Sequence, residues 1–197
     1  MPNHCNNTLG VAGKTKEVEK FVEFVTNKDF AKKGDEYSIF KNLMPMPEEL
    51  EGTISPSKSS NEELIKKYGT DNWYDWCYKN WGTKWGDYET TKSDLMNHVT
   101  YSYPFKEDGT KDYDNSIENK EESYVHFYYD TAWGPGSDEL SILLCNQFPN
   151  LNFNLYYEEP GMGFAGQVTI NKGEIITDDN WELHQNNDDI SEIEFNK

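Results

Sequence analysis

Tyr124, His126 and Tyr128 alternate with Val125, Phe127 and Tyr129, a period of two that an extended strand satisfies, and both of its faces carry rings. This strand anchors the reading of its surroundings. Upstream, Val18, Phe21, Val22 and Val25 recur at helical spacing while Glu17, Glu19, Lys20 and Glu23 take the other faces. That predicts an amphipathic helix over 15–27, behind a short strand at Asn7–Ala12 that Gly13 ends. Downstream, Gly134-Pro135-Gly136 leads to Ser137 as N-cap, with Asp138 and Glu139 in the first turn and Leu140, Leu143, Leu144 and Phe148 as the buried stripe. A helix over 137–147 is expected, stopped by Pro149. Leu151, Phe153, Leu155 and Tyr157 alternate as a further strand, and His98–Tyr103 as another. Val168, Ile170 and Ile176 predict a hairpin turning at Asn171-Lys172-Gly173. The order is βαββαβ with a hairpin added, an α+β, ferredoxin-like sheet carrying both helices on one face.

Between the first helix and the second strand, residues 28–95 form an insertion. Residues 28–58 read as extended connection, and Lys106–Glu122, further on, as a charged loop. Two short helices are expected inside the insertion, one from a capping box at Ser60 and Glu63 to Gly69, the other from Asp71 to Gly82. The second gathers Trp73, Trp76, Cys77 and Trp81 on one side and Tyr74, Tyr78 and Trp85 on another, so apolar surface wraps most of the way round it. Opposite the two core helices the sheet carries Tyr124, Tyr128 and Tyr156, and the Trp-rich insertion is the expected cover for that face. Left uncovering it, Trp73, Trp76, Trp81 and Trp85 are themselves the candidate partner-binding surface. Residues 1–197 read as one domain ending in an acidic tail at 184–197.

Composition bounds the function. Acidic residues number 36 against 18 basic ones, and the formal net charge is −18. Direct phosphate-backbone binding needs a basic footprint, so nucleic-acid binding is disfavoured and a basic partner is favoured. The mean hydropathy is −0.92, yet aromatic residues make up 15% of the chain, enough to build a core. Cys5, Cys77 and Cys145 are odd in number, far apart and outside any CxxC spacing. A reducing, cytoplasmic compartment fits them better than a disulfide framework or a zinc site. Neither a signal peptide nor a membrane span is expected, since the longest aliphatic run is only Ile142 to Leu144.

Four motifs invite chemistry. Gly161-Met162-Gly163-Phe164-Ala165-Gly166 spells a dinucleotide fingerprint, but Pro160 precedes it and an alternating strand follows, so it reads as a turn whose glycines permit close backbone approach. Asp130 to Ser137 joins a strand to a helix N-terminus that could face an anion, but Asp130, Asp138 and Glu139 would repel one, and a helix cap is the expected role. His126 lies four residues from Asp130 without the spacing of a metal site, and no metal or cofactor is expected. Glu158 and Glu159 are adjacent on a strand, face opposite ways and make no carboxylate pair.

The segments Met1-Pro-Asn-His-Cys-Asn-Asn-Thr-Leu, Leu43-Met-Pro-Met-Pro, Asn80-Trp-Gly-Thr-Lys-Trp, Asp130-Thr-Ala-Trp and Tyr156-Tyr-Glu-Glu-Pro-Gly-Met-Gly-Phe-Ala-Gly resemble the Api-like (YubB-like) proteins. The resemblance runs over nearly the whole chain and departs at His4, where the family pattern has Trp. It implies a ferredoxin-like C-terminal domain and an origin on phages or plasmids, in a family of unknown function that supplies no catalytic residues. The reading of function that follows is a non-enzymatic, acidic accessory protein that binds a host protein for host takeover or anti-defence, in its sharper form by nucleic-acid mimicry. The competing class is an enzyme or small-ligand binder with its site at His126, Asp130, Trp133 and Ser137.

Overall fold

The computed structural model describes residues 3–28 and 35–183, without the side chains of 99–101, 119 and 120. The expected tail at 184–197 and part of the insertion therefore lie outside the described residues. Strand β1 (His4–Lys14) runs into helix α1 (Thr15–Val25), and the insertion follows with α2 (Ile39–Leu43), a 3-10 turn at Glu48–Leu50, α3 (Glu62–Tyr68) and α4 (Trp73–Trp81). Next come β2 (Tyr88–Lys92), β3 (Met96–Ser102), β4 (Ile117–Ala132), α5 (Asp138–Gln147), β5 (Asn152–Glu159), β6 (Phe164–Asn171) and β7 (Glu174–Glu182). All pairings are antiparallel, in the order β2-β4-β1-β5-β6-β7, with β3 also on β4. Strands β2 and β3 share one edge, β2 beside Phe127–Asp130 and β3 beside Ile117–Tyr124. The inner order β5-β1-β4-edge is that of a ferredoxin-like sheet, and the β6–β7 hairpin widens it.

Alternation on β1 decides which face is the core. Cys5, Asn7, Leu9 and Val11 are buried, and they share a face with Val125, Phe127 and Tyr129 of β4 and with Phe153 and Tyr157 of β5. Phe21 of α1 docks on that face, its ring edge-on to Phe127 at 5.7 Å, Phe148 at 5.0 Å and Phe153 at 5.3 Å. Edge-to-face packing of this kind adds to the area that each ring buries. In α5 the fully buried residues are Leu140, Leu144 and Cys145, whereas Leu143, expected in the stripe, is only partly buried.

The insertion holds more regular structure than two helices. Residues 39–43, expected as extended connection, are helix α2 because Asp87, 48 positions beyond Ile39 in the chain, caps it. The Asp87 carboxylate accepts the Ile39 and Phe40 amides at 2.8 Å each, the Ser38 hydroxyl at 3.3 Å and the Thr90 hydroxyl at 2.9 Å. The cap of α3 falls on Asn61, whose side chain accepts the Glu63 and Leu64 amides, in place of the expected Ser60. Both insertion helices end on left-handed glycines, Gly69 and Gly82, as expected.

The Trp-rich helix does not cover the far face of the sheet. It packs on the helix layer: Trp81 lies edge-on to Trp76 at 5.2 Å and reaches Phe40 at 6.5 Å, and its indole donates to the Met44 carbonyl at 2.9 Å. Trp76 and Trp81 are buried and Trp73 is half-buried, while Trp85 is half-buried beside Tyr88. Packing is thus the fate of these tryptophans, on the opposite side of the sheet from the expected one. The helix layer offers Trp81 the Phe40 ring, the Met44 carbonyl and the N-terminus of α5.

Candidate functional site

Seen from the side that none of the described helices covers, the register lays the outward residues of five strands in rows. One row runs Tyr128, Thr8, Tyr156, Gln167 and Asp179, and the next runs His126, Gly10, Asn154, Thr169 and Thr177. The central strand contributes small side chains, Thr8, Gly10 and Ala12, between taller ones on β4 and β5. A shallow trough of about 470 Å³ results, with Gly10 in its floor and Tyr124, His126, Asn152 and Asn154 among its walls. A Cβ on Gly10 would stand in van der Waals contact with the His126 ring at 3.4 Å and the Asn154 carbonyl at 3.6 Å, so the bare glycine deepens the trough.

Aromatic surface dominates this face. Tyr128 is 47% exposed, Tyr156 38% and Trp181 42%, whereas their chain neighbours Tyr129 and Tyr157 on the core side are 5% and 7% exposed. His126 stacks over Tyr128 with ring centroids 6.3 Å apart, and Tyr124 meets His126 edge-on at 5.9 Å. Carboxylates stand round the rings: Asp130 and Glu158 flank Asn6 across β4 and β5, and Asp179 closes the row of Tyr156. Burial, then the charge of Glu89, push the Asp130 carboxyl above the usual aspartate range, with His4 pulling the other way. Tyr88 on the neighbouring edge shares a 2.5 Å hydrogen bond with His4 Nδ1.

Residues 112–196 match the family described as the ferredoxin-like domain in Api92-like protein. The Api-like resemblance is borne out. The matched stretch supplies β4, α5, β5 and the β6–β7 hairpin, and β1, from the other end of the chain, completes the sheet by inserting between β4 and β5. The crystal structure of a protein Api92 from Yersinia pseudotuberculosis is similar over 94% of this chain and 99% of that one, with a TM-score of 0.51 and 12% identity, which is a likeness of fold. No curated protein matches the sequence.

The fold does not gather the four residues of the competing site. His126 and Asp130 sit four positions apart along one strand on the outer face. Trp133, with φ of 73°, turns instead toward the insertion, meeting Tyr74 at 6.4 Å and Tyr78 at 6.5 Å. Ser137 starts α5, but its hydroxyl donates to the Asn80 carbonyl at 2.7 Å and its amide to the Trp81 carbonyl at 2.9 Å. The strand–helix junction is thus a joint that ties α4 to α5, and the Ser137 amide an anion would need is already used.

The glycine motif is a turn, as expected. The Gly161 amide donates to the Glu159 carboxylate at 3.0 Å, joined by the Met162 amide, and a Cβ at Gly166 would collide with the Tyr157 phenol and the Asp179 carbonyl. Glu158 and Glu159 point to opposite faces, Glu159 into the interior. Among the described residues no group of three or more His, Cys, Asp or Glu side chains could hold a metal ion. The three cysteines are free and buried, and burial pushes Cys5 and Cys77 up to about 12. No helix among the described residues is long and apolar enough to cross a membrane. Two residues of the open face escaped sequence reasoning. Trp181 follows an acidic run with no alternation to place it, and Gly10 is informative only once its neighbours across β4 and β5 are known.

Proposed function

We propose that this protein is a non-enzymatic binding protein of a phage or related mobile element, acting in the host cytoplasm by holding a basic host protein on its open sheet face. The observation that carries this reading is the uncovered aromatic face itself. Rings more than a third exposed are set among Asp130, Glu158 and Asp179, and neither of the two rows carries a lysine. Exposed apolar surface of this kind on so charged a chain marks an interaction site, aromatic anchors supply binding energy at interfaces, and surrounding carboxylates select and steer a positively charged partner. The Api-like resemblance supports the mobile-element origin, and the buried free cysteines are compatible with a reducing compartment.

Nucleic-acid mimicry is the narrower form of the same proposal, in which Asp130, Glu158 and Asp179 stand in for phosphates. The test is capture of host proteins on immobilised wild-type chain and on a Tyr128→Lys variant, followed by reconstitution with the purified captured protein. Binding should weaken with salt and be lost in Tyr128→Lys. A captured protein that binds both alike, or whose binding ignores salt, overturns the proposal.

A further inference from the structure

One corner of the open face has the chemistry of a receptor for a single side chain. Tyr156 and Trp181 lean together with ring centroids 6.3 Å apart and planes tilted by 42°, each more than a third exposed, so both present ring surface to solvent. The Tyr156 hydroxyl donates to Glu158 Oε2 at 3.2 Å, which orients the ring and keeps that carboxylate beside it. Asp179 lies in the same row, paired to Gln167, itself paired to Tyr156. Elsewhere the chain covers its rings with its own cations, Lys67 over Tyr68 and Lys84 over Trp85. Among the described residues no such contact occupies Tyr156 or Trp181.

Ring faces bordered by carboxylates suit a cation, and the kind of cation follows from hydration. A guanidinium is planar and weakly hydrated, stacks on aromatic faces and offers a fork of donors to carboxylates. An ammonium is a compact, strongly hydrated point charge and gains less from a half-open ring pair. We propose that Tyr156, Trp181, Glu158 and Asp179 form a subsite for an arginine side chain of the bound partner, an assignment that rests on the open-face reading above.

The experiment follows the Trp181 indole N–H by NMR, assigned with Trp181→Leu, while the full chain is titrated with the peptide Gly-Arg-Arg-Gly, its lysine counterpart and its citrulline counterpart. The arginine peptide should shift that resonance, the lysine peptide should bind more weakly, and the uncharged citrulline peptide should leave it in place. Trp181→Leu and Glu158→Gln should each weaken arginine-peptide binding by about three- to tenfold, the range of a partly exposed cation–ring contact. Tyr113→Ala, at an exposed ring in the β3–β4 connection, should leave it unchanged. Equal shifts with arginine and citrulline, or an affinity untouched by both Trp181→Leu and Glu158→Gln, would overturn the proposal. The two failures are distinguishable. If Trp181→Leu keeps the captured host protein while Tyr128→Lys loses it, the arginine subsite is wrong and the open face stands. If neither variant loses that protein, the open-face reading falls and the assignment of the arginine to the partner falls with it, even where the arginine peptide still moves Trp181.

Discussion

At the scale of residues, neighbours in the chain have opposite fates, and single substitutions read this out. Leu144 is buried in the core and Leu143 is only partly so. Leu144→Ala should therefore cost about 2–5 kcal/mol, as for a fully packed leucine, and Leu143→Ala about 1–2 kcal/mol for its smaller buried area. Urea unfolding of the two variants side by side checks the order. Asp87 is the buried cap of α2, and burial pushes its carboxyl above the usual aspartate range despite four donors that pull it down. A raised folded value means that the folded chain holds the proton more tightly than the unfolded one. The stabilising contribution of this group is then full below the ordinary aspartate value and declines as pH rises through the folded one. Asp87→Asn, which turns an NH2 toward amide and hydroxyl donors, should cost about 1–3 kcal/mol. The gap between wild type and variant should be widest near pH 4 and narrow toward neutrality; a gap that widens with pH would show the carboxyl to be held low instead.

At the scale of elements, the joint between α4 and α5 depends on glycines. Gly136 has φ of 117°, and a Cβ there would stand 2.8 Å from Phe40 Cζ and 3.0 Å from Leu140 Cδ1. Gly136→Ala should destabilise by about 1–3 kcal/mol through backbone strain and overpacking, measured as a lower melting temperature with the strands of the sheet unchanged by circular dichroism. What could be read from the chain divides along the same physical line. Elements whose own residues alternate or repeat at helical spacing, such as α1, α5, β5 and the core of β4, announce themselves because burial selects their pattern. Strand β2 is five residues, Tyr88-Glu-Thr-Thr-Lys, with a bulge between Tyr88 and Thr91 and Glu89 at φ of 52°, so no pattern survives. The first part of β4, residues 117–122, reads as loop because four of its six residues are charged. It is a strand because β3 pairs with it, and its solvated position leaves no apolar alternation to see. Helix α2 owes its start to a carboxylate distant in sequence, which no local rule registers. The outward tyrosines of the candidate site were legible from alternation, but whether they are covered depended on where the Trp-rich helix docks, a tertiary choice made by Phe40, Met44 and the glycine joint.

At the scale of the whole molecule, a wide antiparallel sheet is dressed on one side by α1, α2, α4 and α5 and, among the described residues, left bare on the other. The bare side joins exposed rings to a chain whose net charge is −18, a combination that favours fast, salt-sensitive capture of a basic surface over capture of a nucleic acid. Two surfaces are candidates for the proposed partner, the open face with Tyr128, Tyr156 and Trp181 and the helix-side patch with Tyr78 and Trp133, which are also exposed. Hydroxyl-radical footprinting of the chain alone and in complex with its captured, purified partner separates them directly. The open-face account predicts that Tyr128, Tyr156 and Trp181 are labelled in the free protein and protected in the complex, while Tyr78 and Trp133 keep their labels. Protection of Tyr78 and Trp133 with Tyr128 and Tyr156 labelled as before would contradict it.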